Sequence, residues 1–364
     1  MRKFTLLIVA VLMAITASAQ KLDIKQLVRP VSPKGNMVAR ALPENAKPVK
    51  PFKLNKKARK AAGVTSIDDL TGTWMQIYYS YFDKTILSTV VEITKTEGSE
   101  NSITISGWWG SWAEPIEATV DLAAGTVTVA PQLIYEYEGD VSAELVNSSS
   151  ETEGAPLVGT IDEDGSINFE DGWAAMFVDG SGYAYEVGLY TSLVRPNGKM
   201  NYTYDNDDYS DDIYIEEDEE GMVYVYNFGD FGRMITLQLN SDKTVSAPSD
   251  QVIYNSSTHG DYILYGINGE ANVPLTGIGT ETTITFDQPW SGVTEDGYWL
   301  GEYSSCTIIL TDGTSFIYPE DPTGISTVNA NEQNGGKAYN MAGQLVKQGY
   351  KGIVVKNGKK FLMK

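Results

Sequence analysis

Three of the chain's seven tryptophans, Trp108, Trp109 and Trp112, fall in one short stretch, Gly107-Trp108-Trp109-Gly110-Ser111-Trp112. An indole combines a broad apolar face with a single N–H donor, which suits positions packed on one side and open to a partner on the other. β-Modules that bind sugars stack such faces on the sugar rings. Neighbouring side chains on an extended backbone point to opposite sides, so Trp108 and Trp109 are not expected to enter the same core. Trp109 or Trp112 is then expected to offer its ring face to a ligand, a glycan or another extracellular surface ligand. The opposing expectation is that this turn folds over one end of its domain and plugs it. A second turn, Asn227-Phe228-Gly229-Asp230-Phe231-Gly232, repeats the pattern with smaller rings. Trp108, Trp109, Trp112, Phe228 and Phe231 are the candidate ligand contacts.

The carboxylates offer a second chemistry. Hard oxygen ligands at alternate positions suit Ca²⁺, and in the acidic run 205–220 Asp205, Asp207 and Glu216 stand at positions 1, 3 and 12 of an EF-hand-like loop. Tyr209 and Ser210 break that motif, and a solvated linker between domains is the competing reading. Catalysis leaves fewer traces. A single His, His259, and a single Cys, Cys306, exclude His-rich metal centres built from this chain alone. Glycoside hydrolysis needs only two carboxylates about 5–10 Å apart. No acid stands out for that task, so no catalytic residue is assigned and a non-catalytic role is expected.

Charge is sharply segregated. Residues 20–66 carry 12 Lys or Arg against 2 acids, residues 67–322 carry 6 against 45, and residues 323–364 carry 7 against 1. The central body, at −39, repels phosphate backbones and anionic lipid, which argues against nucleic acid or a membrane surface as its partner.

The elements that must position these groups are short. From Ile67 onward, apolar and polar residues alternate at period two, as in Ile103-Thr104-Ile105-Ser106 and Ile235-Thr236-Leu237-Gln238-Leu239. Asp-Gly and Asn-Gly pairs punctuate them, the composition of tight hairpin turns. The pattern predicts an all-β, antiparallel protein, either meander barrels or sandwiches. It also repeats: ATVDLAAGTVTVAP at 118–131 aligns without a gap to ITLQLNSDKTVSAP at 235–248, and Phe169 and Trp173 recur at the same displacement as Phe286 and Trp290. The predicted organisation is two tandem modules, 67–197 and 198–317. They follow a signal peptide at 1–19 and a basic, Pro-rich linker at 20–66. A linker and small β tail at 318–364 come last. Arg2 and Lys3, the apolar run Phe4–Ile15 and the small residues Ala17-Ser18-Ala19 make up the export signal, which is too short to span a bilayer. The mature chain is expected not to insert into a membrane. Cys306 lies in an apolar run and reads as a small buried residue.

Two resemblances follow from particular residues. The tail contains Tyr339-Asn340-Met341-Ala342-Gly343-Gln344-Leu345-Val346, then Lys351-Gly352-Ile353-Val354-Val355, and ends on Lys364. Residues 323–364 resemble the C-terminal sorting tails of type IX secretion cargo. That resemblance implies recognition by export machinery, passage across an outer membrane and surface attachment. Gly72-Thr73-Trp74 and Arg195 are similar to the lipocalin pattern, which implies a calycin-like barrel with Trp74 packed against Arg195 at one end. Module two departs from it, with Leu310 where Arg195 would align. The function read from all this is a secreted or surface-associated binding protein for a glycan or another extracellular ligand. A structural or adhesive surface component and a carboxylate-dependent glycan hydrolase are the alternatives. Protein recovered from outside the cytoplasm of its native host is expected to begin at Gln20, which N-terminal sequencing checks.

Overall fold

The computed structural model describes residues 63–319 except 138–140, 151, 153, 179–182, 219, 257–258 and 270, together with 338–340, 346, 351–356 and 359–363. The export signal and nearly all of the basic linker lie outside the described residues. Among the described residues, no helix is long and apolar enough to cross a membrane.

The first module holds β1 (Gly72–Ser80), β2 (Thr85–Lys95), β3 (Ser102–Ser106), β4 (Ile116–Asp121), β5 (Thr126–Val129), β6 (Gln132–Tyr137), β7 (Val141–Asn147), β8 (Leu157–Ile161), β9 (Ile167–Phe169), β10 (Trp173–Phe177) and β11 (Ala184–Val194). Eight of them close a barrel in the order β1-β2-β3-β4-β5-β8-β9-β11, with β11 returning to β1, while β10, β7 and β6 continue the sheet as a flap. The second module holds β12 (Gly198–Tyr204), β13 (Asp207–Glu217), β14 (Met222–Tyr226), β15 (Ile235–Leu239), β16 (Thr244–Ser246), β17 (Val252–Ser256), β18 (Gly260–Asn268), β19 (Ala271–Val273), β20 (Thr276–Gly279), β21 (Thr283–Phe286), β22 (Trp290–Val293) and β23 (Tyr303–Leu310). It repeats the plan: β12-β13-β14-β15-β16-β20-β21-β23 closes, β22, β18 and β17 form the flap, and only β19 is extra. A small antiparallel sheet of β24 (Ala338–Asn340), β25 (Gly352–Lys356) and β26 (Lys359–Met363) follows.

Alternation explains why these segments form strands. In β4, Ile116, Ala118 and Val120 are buried while Glu117, Thr119 and Asp121 face water; in β15, Ile235, Leu237 and Leu239 are buried. The duplication holds at the level of register. Phe169 sits opposite Gly159, and Phe286 opposite Gly277. Gln76 pairs with Leu193 on β11, and Met200 with Ile308 on β23. An eight-stranded barrel is just wide enough for side chains to fill it. Trp74, Trp108, Phe169 and Trp173 fill the first, and Phe228, Ile284 and Trp290 the second. Cys306 is buried in the second barrel, and burial pushes its thiol pKa up to about 12, so it is not a nucleophile at neutral pH.

The acidic run at 205–220 is not the linker between modules. Asp205 and Asn206 both take left-handed backbone angles, φ 50° and 70°, and form the tight turn between β12 and β13. These residue types tolerate that conformation and favour such hairpins. The true connection is only Arg195-Pro196-Asn197, between the end of β11 and the start of β12, and both ends of it are held. The Arg195 guanidinium lies 4.0 Å over the Trp74 ring and donates to the carbonyls of Asp69 (2.8 Å), Thr71 (2.8 Å) and Thr73 (3.2 Å). At the corresponding place in barrel two, Gly198 pairs with Leu310. Asn197 is buried and holds β13 from both sides, donating to Ile215 O (2.9 Å) and accepting from Ile215 N (2.7 Å). The outer faces of the barrels then dock through Met75, Ile77 and Val194 against Tyr214 and Tyr226.

Asn197→Ala strands the buried N–H and C=O of Ile215. The expected cost is about 2 kcal/mol, read as a lower denaturation midpoint with an unchanged slope. A variant as stable as the parent would show that Asn197 does not fasten the junction.

Candidate functional site

The turn after β3 is not extended. Gly107, Trp109 and Gly110 take φ of 85°, 73° and 140°. At Gly107 a side chain is excluded outright, since a Cβ would lie 2.8 Å from Val90 O. Positive φ at a residue as bulky as Trp109 is costly, of order 1–3 kcal/mol. The equivalent residue in barrel two is Gly229, which takes φ 59° without that cost. In both barrels this residue's backbone N–H is fastened to the first strand: Trp109 N donates to Gln76 Oε1 (2.9 Å), and Gly229 N to Met200 Sδ (3.2 Å).

The coiled turn overturns the opposite-faces expectation. Trp108 is wholly buried, edge-on to Phe169 at 5.4 Å and Trp173 at 5.9 Å. Trp109 is 5% exposed and packs beside Tyr135 and Tyr185. Phe228 is wholly buried, 4.7 Å from Trp290. Trp108 and Phe228 are therefore core residues and cannot touch a ligand directly. Trp112 is different, with 46% of its surface exposed. Its ring leans on Gly110, where a Cβ would lie 2.6 Å from the indole, and on the edge of Trp109 at 6.0 Å.

The two aromatic turns line one cleft. A cleft of about 770 Å³ between the barrels is lined by Trp109, Trp112 and Tyr135 from the first module and by Phe231 and Tyr254 from the second. Phe231 is half-buried, 6.0 Å from Tyr254 and 5.8 Å from Tyr303. At the cleft the two chains of strands touch directly. Leu87 bridges to Arg233, and Ser88 N donates to Gly232 O at 2.8 Å. Gly232 occupies the place in its turn that Trp112 occupies in the other, and a Cβ there would lie 2.9 Å from Ser88 O. Of the repeated turn, one copy thus presents an indole and the other docks the neighbouring barrel.

Among the described residues, Asp83, Glu186, Asp230 and Arg233 also line the cleft. Glu186 is 2% exposed and accepts from Ser80 Oγ (2.8 Å) and from Val187 N (3.0 Å). None of these, nor Tyr135 and Tyr254, carries a local signal in the sequence, because barrel closure and module docking bring them together. Sequence reasoning also missed Tyr298 and Trp299, which are more than half exposed on the β22–β23 loop, with the His259 ring 4.1 Å from Tyr298. Two adjacent aromatics just after Asp296-Gly297 were a legible signal of exposure.

Asp205, Asp207 and Glu216 are not brought together around one point. Asp207 and Glu216 stand near opposite ends of β13, about 30 Å apart at the usual rise of a strand. Glu216 is buried and accepts from Tyr226 Oη at 2.9 Å, and burial there holds the Tyr226 hydroxyl far above its ordinary pKa. Among the described residues, no group of three or more His, Cys, Asp or Glu is placed to hold a metal. Comparison with known protein families, curated proteins and solved structures finds no match to this chain.

Gly110→Ala puts a methyl where the Trp112 ring rests. The expected result is a changed near-UV circular dichroism spectrum and altered solute quenching of tryptophan fluorescence, with the far-UV spectrum retained. An unchanged near-UV spectrum would show that Trp112 is not seated on Gly110.

Proposed function

We propose that this is an exported, non-catalytic protein that binds a glycan in the cleft between its two barrels, with Trp112 as the stacking platform. One observation carries the reading: two aromatic turns, far apart in sequence, converge on one cleft in which Trp112, resting on Gly110, stays 46% exposed. A flat apolar ring, flanked by Phe231 and by polar groups such as Asn227 and Asn255, suits a ligand that has apolar ring faces and hydroxyl edges. Export, surface delivery through the 323–364 tail and a calycin-like relationship belong to the same reading. The tail's Tyr-Asn-x-x-Gly-Gln pattern supports the second, and the contact between Trp74 and Arg195 supports the third.

A second reading, a glycan hydrolase, is favoured by Glu186, Asp83 and Asp230 in the same cleft, since two suitably spaced carboxylates suffice for that chemistry. A structural or adhesive surface role without a small ligand predicts assembly into polymers and no saturable glycan binding.

A glycan array followed by titration of the full chain tests the proposal. Aromatic stacking contributes about 0.5–1.5 kcal/mol beyond area burial, so Trp112→Ala is expected to weaken binding about two- to twelvefold and leave the melting temperature unchanged. Trp108→Ala is expected to cost about 3–5 kcal/mol of stability. Glycan binding unaffected by Trp112→Ala would remove the cleft from consideration. Polysaccharide turnover abolished by Glu186→Gln would favour the hydrolase.

A further inference from the structure

We infer that the cleft selects glycans carrying free amino groups over their N-acetylated, neutral or acidic counterparts; this inference rests on the glycan reading above. Among the described residues, the cleft lining includes the carboxylates Asp83, Glu186 and Asp230 and the cation Arg233, with Asp230 the exposed carboxylate at the turn. It opens on a body of charge −39 over residues 67–322. A concave site lined by one sign of charge raises the local concentration of opposite charge and repels like charge.

The acidic character continues beyond the cleft. Asp230 also acts on Asp211, which lies on β13 opposite Met200, a wholly buried interior residue. Residues directly opposite each other share a sheet face, so Asp211 faces into the mouth of barrel two. Its Oδ2 is buried there without a hydrogen-bond partner. Burial, reinforced by the charges of Asp230 and Asp212, raises the Asp211 pKa, while its hydrogen bond with Tyr202 opposes the rise. The surrounding rings are Tyr202, stacked on Tyr209 at 5.4 Å, and Tyr303, which is 5.5 Å from Tyr202 and 5.8 Å from the cleft residue Phe231. Phe231 and Asp230 therefore join the cleft to a tyrosine-lined, carboxylate-bearing mouth. Carboxylates make charge-assisted hydrogen bonds to ammonium groups, and aromatic faces attract the same cation. A neutral sugar would gain the stacking on Trp112 and neutral hydrogen bonds, but no charge pairing. A uronate or sulfate would meet charge of its own sign.

The test is titration calorimetry of the full chain with a β-1,4-linked glucosamine tetramer and with its fully N-acetylated counterpart, in mildly acidic buffer where the amines are protonated. The expected result is affinity for the amino form about tenfold higher, with the difference shrinking as salt is added. Asp230→Asn, at an exposed turn position, is expected to reduce that preference at least threefold while the thermal melt is retained. Trp112→Ala should weaken both oligomers by the same factor. Equal affinity for the two oligomers, or a preference unchanged in both Asp230→Asn and Asp83→Asn, overturns the amino-sugar inference and leaves the glycan reading standing. Binding of neither oligomer overturns this inference and counts against the glycan reading. A Lys tetrapeptide that binds as tightly as the amino sugar would show that the cleft recognises charge alone, and would overturn it too.

Discussion

The geometry of the cleft depends on the shortness of the link between the barrels. Only Arg195, Pro196 and Asn197 separate β11 from β12. A flexible tether would let two domains of this size move independently, since contacts between domains in one chain are ordinarily modest. Here the first residue of the link is clamped to barrel one by three backbone carbonyls and the Trp74 ring, and the last to barrel two by both polar groups of Ile215. Proline restricts the backbone between them. The apolar contact of Met75, Ile77 and Val194 with Tyr214 and Tyr226, and the bridge from Leu87 to Arg233, then need fix only the remaining rotation. The two aromatic turns are held face to face before any ligand arrives.

Duplication supplied the parts, and divergence at a few positions set them to different tasks. Both copies keep a large ring at the base of the turn, Trp108 or Phe228, packed against a tryptophan that opens the flap strand, Trp173 or Trp290. The outer half of the turn is where they part. Glycine at 232 permits the close backbone approach to Ser88, and tryptophan there would block docking. Tryptophan at 112, facing the space that docking leaves open, completes the cleft. Trp109 in a left-handed conformation, where the other copy has Gly229, is the remaining sign of specialisation. Strain of that kind persists only where the surroundings over-determine the conformation, and it clusters at functional positions. Here the strained residue packs its ring 6.0 Å from that of Trp112.

How much of this could be read from residues alone follows from the range of the forces involved. Period-two alternation and Gly-containing turns are local, so the strands, the antiparallel class and the repeat were legible. The Trp and Phe turns were legible as a pair because the repeat aligned them. Their internal geometry was not: the opposite-faces argument presumes extended backbone, and nothing in the residue types announces that Trp109 takes positive φ. The acidic run misled for a related reason. Spacing along a chain becomes spacing in a site only within a loop, and β13 carries Asp207 and Glu216 apart instead of curling them around an ion. Glu186, Tyr254 and Arg233 enter the cleft from strand ends and turns that approach one another only after each barrel has closed and the barrels have docked.

The plug and the platform, opposed as expectations, turn out to be two layers of one arrangement. Trp108 closes the barrel end, Trp109 roofs it, and Trp112 lies on that roof. An exposed indole on a mobile loop would lose rotational freedom on binding a ligand, at about 0.5–1.5 kcal/mol for an ordered side chain, which is as much as stacking contributes. Seating Trp112 against Gly110 and the edge of Trp109 places most of that loss in folding, where the buried Trp108 offsets it. The requirement for glycine at 110 and the left-handed backbone at 109 then act together: both set where the Trp112 ring rests at the edge of the cleft.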